Sequence, residues 1–90
     1  SKAALAGLVA TAADELIDRG IILNAVNPGP VDTGYCDPGE VTAALPRAFP
    51  QGRWGEPDDP ARLIEWLASD AGRWVVGQVI DSEGGFRRWP

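Results

Sequence analysis

Ile21-Ile22-Leu23-Asn24-Ala25-Val26, followed at once by Asn27-Pro28-Gly29-Pro30, is the stretch on which the fold turns. A short, near-continuous apolar run rich in branched residues predicts a strand over 21–26, buried on both faces as in a parallel sheet. Neither proline can donate to a ladder, and Gly29 permits backbone geometry closed to other residues, so the strand stops there. Upstream, Leu5, Leu8, Val9, Ala12 and Leu16 recur at helical spacing and predict a helix over 2–19. Gly20 stands where that helix should stop, just after Arg19, whose charge suits the negative end of the helix dipole.

Downstream, residues 31–57 are rich in glycine and proline and read as an irregular excursion. A lid loop is expected over 34–57, with one helical turn near Glu40 to Leu45. Asp58-Asp59-Pro60 announces a second helix, an aspartate N-cap with proline at the first helical position. That helix is predicted over 60–70, with Leu63, Ile64, Trp66 and Leu67 as its apolar face. Residues 78–81, Gln-Val-Ile-Asp, predict a second strand before the Gly84-Gly85 turn. Strand, crossover helix and strand form a parallel α/β unit. A strand buried on both faces needs neighbours on both edges and helices over each face, which two strands and two helices do not supply. Residues 1–90 therefore read as one incomplete α/β domain.

Composition narrows the chemistry. Thirteen acidic against eight basic residues give a net charge of −5, which argues against nucleic acid, whose binding needs clustered Lys and Arg. No apolar run approaches the roughly 20 residues of a membrane-spanning helix, and no basic-then-apolar leader is evident. The lone Cys36 forbids an intrachain disulfide, and a cytoplasmic location is expected. Without histidine there is no Ser-His-Asp triad and no imidazole metal ligand. No methionine occurs either, and the chain opens inside a helix pattern, so it is expected to be part of a longer polypeptide.

In parallel α/β sheets ligands bind beyond the carboxyl ends of the strands. Here that place is residues 27–34. Gly29 lets a ligand approach the backbone, the prolines stiffen the turn, and Thr33 brings a hydroxyl that both donates and accepts. Read from these residues alone, the same turn serves equally as a plain strand stop without a ligand.

Longer motifs reach further. Ser1-Lys2-Ala3-Ala4-Leu5 resembles the stretch that carries the active-site lysine of short-chain dehydrogenases/reductases. Residues 27–33 resemble their nicotinamide-side Pro-Gly-x-Val-x-Thr segment. Residues 52–61, Gly-Arg-Trp-Gly-Glu-Pro-Asp-Asp-Pro-Ala, are similar to the family's Gly-Arg-x-Gly-Glu-Pro-x-Asp-x-Ala entry into its penultimate helix. Leu67-Ala68-Ser69-Asp70, Gly77-Gln78-Val79-Ile80 and Gly84-Gly85 complete a pattern that covers the chain in order, with the flavour of the 3-oxoacyl-carrier-protein-reductase-like branch.

The resemblance implies the C-terminal part of a doubly wound, Rossmann-like parallel-sheet domain. It also implies an oxidoreductase that exchanges a hydride between NAD or NADP and a small-molecule carbonyl or secondary alcohol. Lys2 would bind the nicotinamide ribose hydroxyls and lower the pKa of a catalytic tyrosine. Thr33 and the backbone of Val31 would hold the carboxamide, with Pro28 and Gly29 beside the ring. The family's tyrosine precedes the lysine by four positions, which falls outside this sequence, as do its glycine-rich loop and active-site serine. The 90 residues alone are therefore expected to be inactive. Residues 34–52 are short for the family's lid, which implies an open site.

Tyr35 stands where a substrate-facing loop begins and is expected to contact substrate rather than to act as the acid/base. Cys36 has no neighbouring lysine to activate it and reads as inert. Asp32 and Asp37 read as solvated loop carboxylates. Trp54, Trp66, Trp74 and Trp89 are assigned to packing or subunit contacts. The alanine face of Ala3, Ala6, Ala10 and Ala13 suits the close contacts of a homodimer or homotetramer, which the family resemblance also implies. The alternative reading is a non-catalytic remnant that acts as a packing or oligomerisation module.

Overall fold

A computed structural model describes residues 2–34, 39 and 47–87. Helix α1 spans Lys2–Ile17, strand β1 Ala25–Asn27, helix α2 Asp58–Ala68 and strand β2 Val79–Asp81, with a 3-10 turn at Asp70–Gly72. The two strands run parallel in the register Ala25↔Val79, Val26↔Ile80 and Asn27↔Asp81. Helix α1 packs against β2, and α2 against β1. The expected helical turn near residues 40–45, and most of the lid loop, lie outside the described residues.

The first helix ends earlier than the apolar spacing predicts. Ile21 N–H donates to Leu16 C=O at 3.1 Å and Gly20 N–H to Ile17 C=O at 2.9 Å, the paired bonds of a Schellman stop with Gly20 just past the cap. Arg19 therefore serves as the cap of α1 rather than as its last helical residue. Its apolar stripe also divides: Val9 is buried and Ala12 and Leu16 half-buried, whereas Leu5 and Leu8 are exposed. Ala13, expected on an intersubunit face, is instead buried inside the chain at 1% exposure, facing Gly77.

The first strand is shorter and later than the apolar run implies. Regular pairing starts only at Ala25 and takes in Asn27. Before it, Asn24 bridges the two segments with its side chain, donating from Nδ2 to Val75 C=O (2.8 Å) and accepting Gln78 N–H at Oδ1 (2.9 Å). Gly77 N–H donates to Leu23 C=O at 2.8 Å. Residues 23–24 are thus held to 75–78 by single bonds, and no ladder forms there. With one strand neighbour among the described residues, β1 is half-buried rather than enclosed.

The second helix begins two residues before its predicted start. Pro57 occupies the cap position with no side-chain cap bond, and Asp58 and Asp59 lie in the first turn. Asp59 is not the cap because its carboxylate is engaged elsewhere: Oδ2 accepts Glu56 N–H at 2.8 Å, and both oxygens bind Arg53. Pro60 is still tolerated, since the first-turn N–H groups have no intrahelical acceptor. The helix ends at Ala68, where Ser69 turns extended and its hydroxyl donates to Trp66 C=O at 2.6 Å. Leu63 and Leu67 are half-buried, while Ile64 and Trp66 stay exposed.

A second small core has no counterpart in the sequence reading. Phe49 is 4% exposed and stacks on Trp54 (centroids 5.0 Å apart) and against Phe86 (5.2 Å). Arg87 N–H donates to Ala48 C=O at 2.9 Å beside it. These contacts fasten the end of the long loop to the chain beyond β2. Trp74, by contrast, is 98% exposed. Trp89 lies outside the described residues.

Candidate cofactor site at the carboxyl end of the sheet

The site begins at Asn27, the last residue of β1. Its Oδ1 accepts Gly29 N–H at 3.1 Å, which folds residues 27–29 into a tight side-chain-closed turn. Gly29 adopts φ +63°, a conformation that other residues seldom take. Space alone would also require glycine, because a β-carbon there would lie 2.7 Å from Glu83 Cβ. On the other side of the amide, Asn27 Nδ2 donates to Asp81 Oδ1 (3.1 Å) and to Glu83 Oε2 (3.2 Å). Ser82 N–H donates to Asn27 C=O at 2.8 Å, so the chain leaving β2 runs alongside the turn.

Val31 pairs with Gly55 as an isolated parallel bridge. Gly55 N–H donates to Pro30 C=O (3.2 Å) and Asp32 N–H donates to Gly55 C=O (2.9 Å). In such a bridge the bonds to the partner come from the residues on either side. The N–H and C=O of Val31 itself therefore point away from Gly55. Asp32 closes the next turn, its Oδ1 accepting Gly34 N–H at 3.0 Å. It is a turn former rather than merely a solvated carboxylate. Thr33 is exposed between these two turn residues.

The segment that carries Gly55 is held by Arg53 and Asp59. Arg53 meets the carboxylate with two bonds, Nη1 to Oδ2 at 2.6 Å and Nη2 to Oδ1 at 3.0 Å. Arg53 Nη1 also donates to Trp54 C=O at 3.0 Å. The Arg53 side-chain hydrogen bond, with the Glu56 N–H behind it, holds the Asp59 carboxyl far below the ordinary carboxylate range. The same pairing raises the Arg53 pKa. A polar cavity of about 240 Å³ opens beside this pair, lined by Gln51, Arg53, Gly55, Asp59, Ser82, Glu83 and Gly84.

The structure thus brings Pro28, Gly29, Val31 and Thr33 into one turn system at the carboxyl end of β1. Lys2 is the first residue of α1. Tyr35, Cys36 and Asp37 lie outside the described residues. Asp81, Glu83 and Gly55 support the turn and were not singled out from sequence. The Gly-Arg-x-Gly and Gly-Gly motifs around them were legible, but not the loop they serve. Among the described residues no helix is long and apolar enough to cross a membrane.

A parallel strand pair with a glycine- and proline-bearing turn at its carboxyl end defines part of a Rossmann-like α/β domain. Residues 1–87 match the family model described as enoyl-(acyl carrier protein) reductase, and the chain belongs to the short-chain dehydrogenase/reductase family. It is 47% identical over 88 residues to an oxidoreductase of Bacillus subtilis, covering 98% of this chain and 35% of that protein. A crystal structure of 3-oxoacyl-[acyl-carrier protein] reductase from Brucella melitensis superposes with a TM-score of 0.81 at 34% identity, covering 94% of this chain and 32% of that one. A 3-oxoacyl-[acyl-carrier protein] reductase with bound NAD from Brucella melitensis superposes at 0.78 with 35% identity, over 94% and 31% of the two chains. The chain spans about a third of the length of these relatives.

Proposed function

We propose that this chain is the C-terminal part of a nicotinamide-dependent oxidoreductase acting on a small carbonyl compound or secondary alcohol. The observation that carries the proposal is the orientation of Val31. Its N–H and C=O, turned away from Gly55, offer one donor and one acceptor from a single residue. A primary carboxamide presents the complementary acceptor and donor. Thr33 adds a hydroxyl two residues on, and exposed Pro28 supplies an apolar surface for a flat ring. The relative with bound NAD supports a dinucleotide as the ligand.

NAD or NADP, when bound, supplies or takes the hydride. The chain's own residues hold and orient it: Val31 and Thr33 at the carboxamide, Pro28 and Gly29 along the ring, and Lys2 at the ribose hydroxyls. Lys2 also favours the phenolate of the family's tyrosine by its charge, so that the tyrosine can exchange a proton with the substrate oxygen near neutral pH. Tyr35 is assigned to the substrate side. Because the tyrosine belongs to a preceding segment, residues 1–90 alone do not turn over. An open groove of about 570 Å³ lined in part by Ile22, Ile64 and Leu67 is where the rest of the sheet would pack. Exposed Leu5 and Leu8 on α1 support assembly into a homodimer or homotetramer.

The test is to assay the complete polypeptide with NADH and NADPH against a panel of small ketones and aldehydes, following reduced nicotinamide by absorbance. Turnover with one of the two cofactors is expected. Failure to bind either one, measured by quenching of tryptophan fluorescence, would remove the proposal.

A further inference from the structure

We propose that Glu83, which no sequence motif marked as part of the cofactor site, is the positioning residue of the nicotinamide-side turn. The inference rests on the functional reading above for the identity of the ligand, but its geometry stands separately.

The Asn27 amide has one accepting and one donating end. Gly29 N–H can only donate, and it lies 3.1 Å from Oδ1. The carboxylates of Asp81 and Glu83 can only accept, and they lie 3.1 and 3.2 Å from Nδ2. Rotating the amide by half a turn would oppose like with like at all three contacts, so the carboxylates decide which end faces Gly29. Of the two, the Asp81 contact is exposed and the Glu83 contact is partly buried. Glu83 also supplies the atoms nearest to the turn at Gly29. A β-carbon on Gly29 would meet Glu83 Cβ at 2.7 Å and Oε2 at 3.0 Å. Glu83 therefore floors the turn with its stem and orients Asn27 with its carboxylate. Asn27 in turn holds the Gly29 N–H and sets the path of residues 29–31.

Charge is not what the geometry requires of Glu83. It requires an acceptor at the end of a side chain of this length, so Glu83→Gln, whose Oε1 still accepts, should preserve the turn. Glu83→Ala removes both acceptor and stem. In the complete polypeptide, E83A is expected to weaken nicotinamide dinucleotide binding by about tenfold, the effect of losing roughly one charge-assisted hydrogen bond, while E83Q stays within about threefold of wild type. The rise should appear in the cofactor KM more than in kcat.

Amide hydrogen exchange at Gly29 reads the brace directly and needs no ligand. Faster exchange in E83A, restored in E83Q, supports the proposal. Unchanged Gly29 exchange in E83A overturns it, as does an E83Q variant that exchanges and binds like E83A. Should E83A fail to fold, N27D supplies the same test by setting a carboxylate against Asp81 and Glu83. The double variant N27D/E83Q should then recover part of the lost cofactor affinity, and no recovery overturns the brace. A wild-type polypeptide that binds neither NADH nor NADPH, with Gly29 exchange behaving as expected, would instead overturn the functional reading.

Discussion

Gly77 lies so close to Ala13 that a β-carbon at position 77 would stand 3.2 Å from the Ala13 Cβ and 3.8 Å from the Ala10 Cα. This contact seats α1 on the segment that leads into β2, and so sets the helix that Lys2 opens relative to the sheet. Gly77 also holds φ +73°, which a side chain would resist. Gly77→Val should therefore destabilise the polypeptide by roughly 2 kcal/mol or more through overpacking and backbone strain. Thermal melting followed by circular dichroism checks this, and a variant that melts with wild type would show that the helix yields freely.

Phe49 is expected to be the most sensitive aromatic residue. It is buried and stacked between Trp54 and Phe86, so Phe49→Ala should cost about 3 kcal/mol. Chemical denaturation measures the loss. Trp74→Ala, at a fully exposed tryptophan, serves as the contrast and should change stability by less than about 0.5 kcal/mol.

Asp59 makes the molecule sensitive to acid in one direction. Its folded-state pKa is depressed below the ordinary 3.8, so its pairing stabilises the fold fully above that value. The contribution then declines as the pH falls from 3.8 toward the native pKa. Asp59→Asn lacks it at every pH. The melting-temperature difference between wild type and Asp59→Asn should be constant from pH 5 to 7 and shrink below about pH 4. A difference that grows on acidification would contradict the pairing as the cause.

Under the proposed function, variants of Thr33 and Lys2 separate binding from chemistry. Thr33→Val should raise the cofactor KM by roughly fivefold with little change in kcat, as for one neutral hydrogen bond. Lys2→Ala should lower kcat by about a hundredfold or more near neutral pH, since it removes the charge that supports the tyrosine phenolate. Steady-state kinetics on the complete polypeptide distinguish the two patterns. Near-normal turnover for Lys2→Ala would take Lys2 out of the site.

What the sequence determined by itself is local in origin. The stop of α1 at Gly20 follows from a glycine next to a helix end. The end of β1 follows from two prolines and a glycine that cannot continue a ladder. The motifs of residues 1–5, 27–33 and 52–61 sufficed for the family and for the place of the turn. Tertiary structure decided whatever depends on residues far apart in the chain. Asn27 meets Glu83 across 56 positions, Val31 finds Gly55, and Phe49 gathers Phe86, none of which any spacing rule foretells. Tertiary contacts also moved Ala13 from an expected outer face to the interior, because Gly77 admits the helix there. The start of α2, by contrast, was shifted by local bonds: Arg53 and Glu56, six and three residues before Asp59, claim the carboxylate that a cap would use. Periodicity and breakers act within a few residues and are written in the chain. The orientation of an amide or the floor of a turn is set by whichever partner the fold delivers.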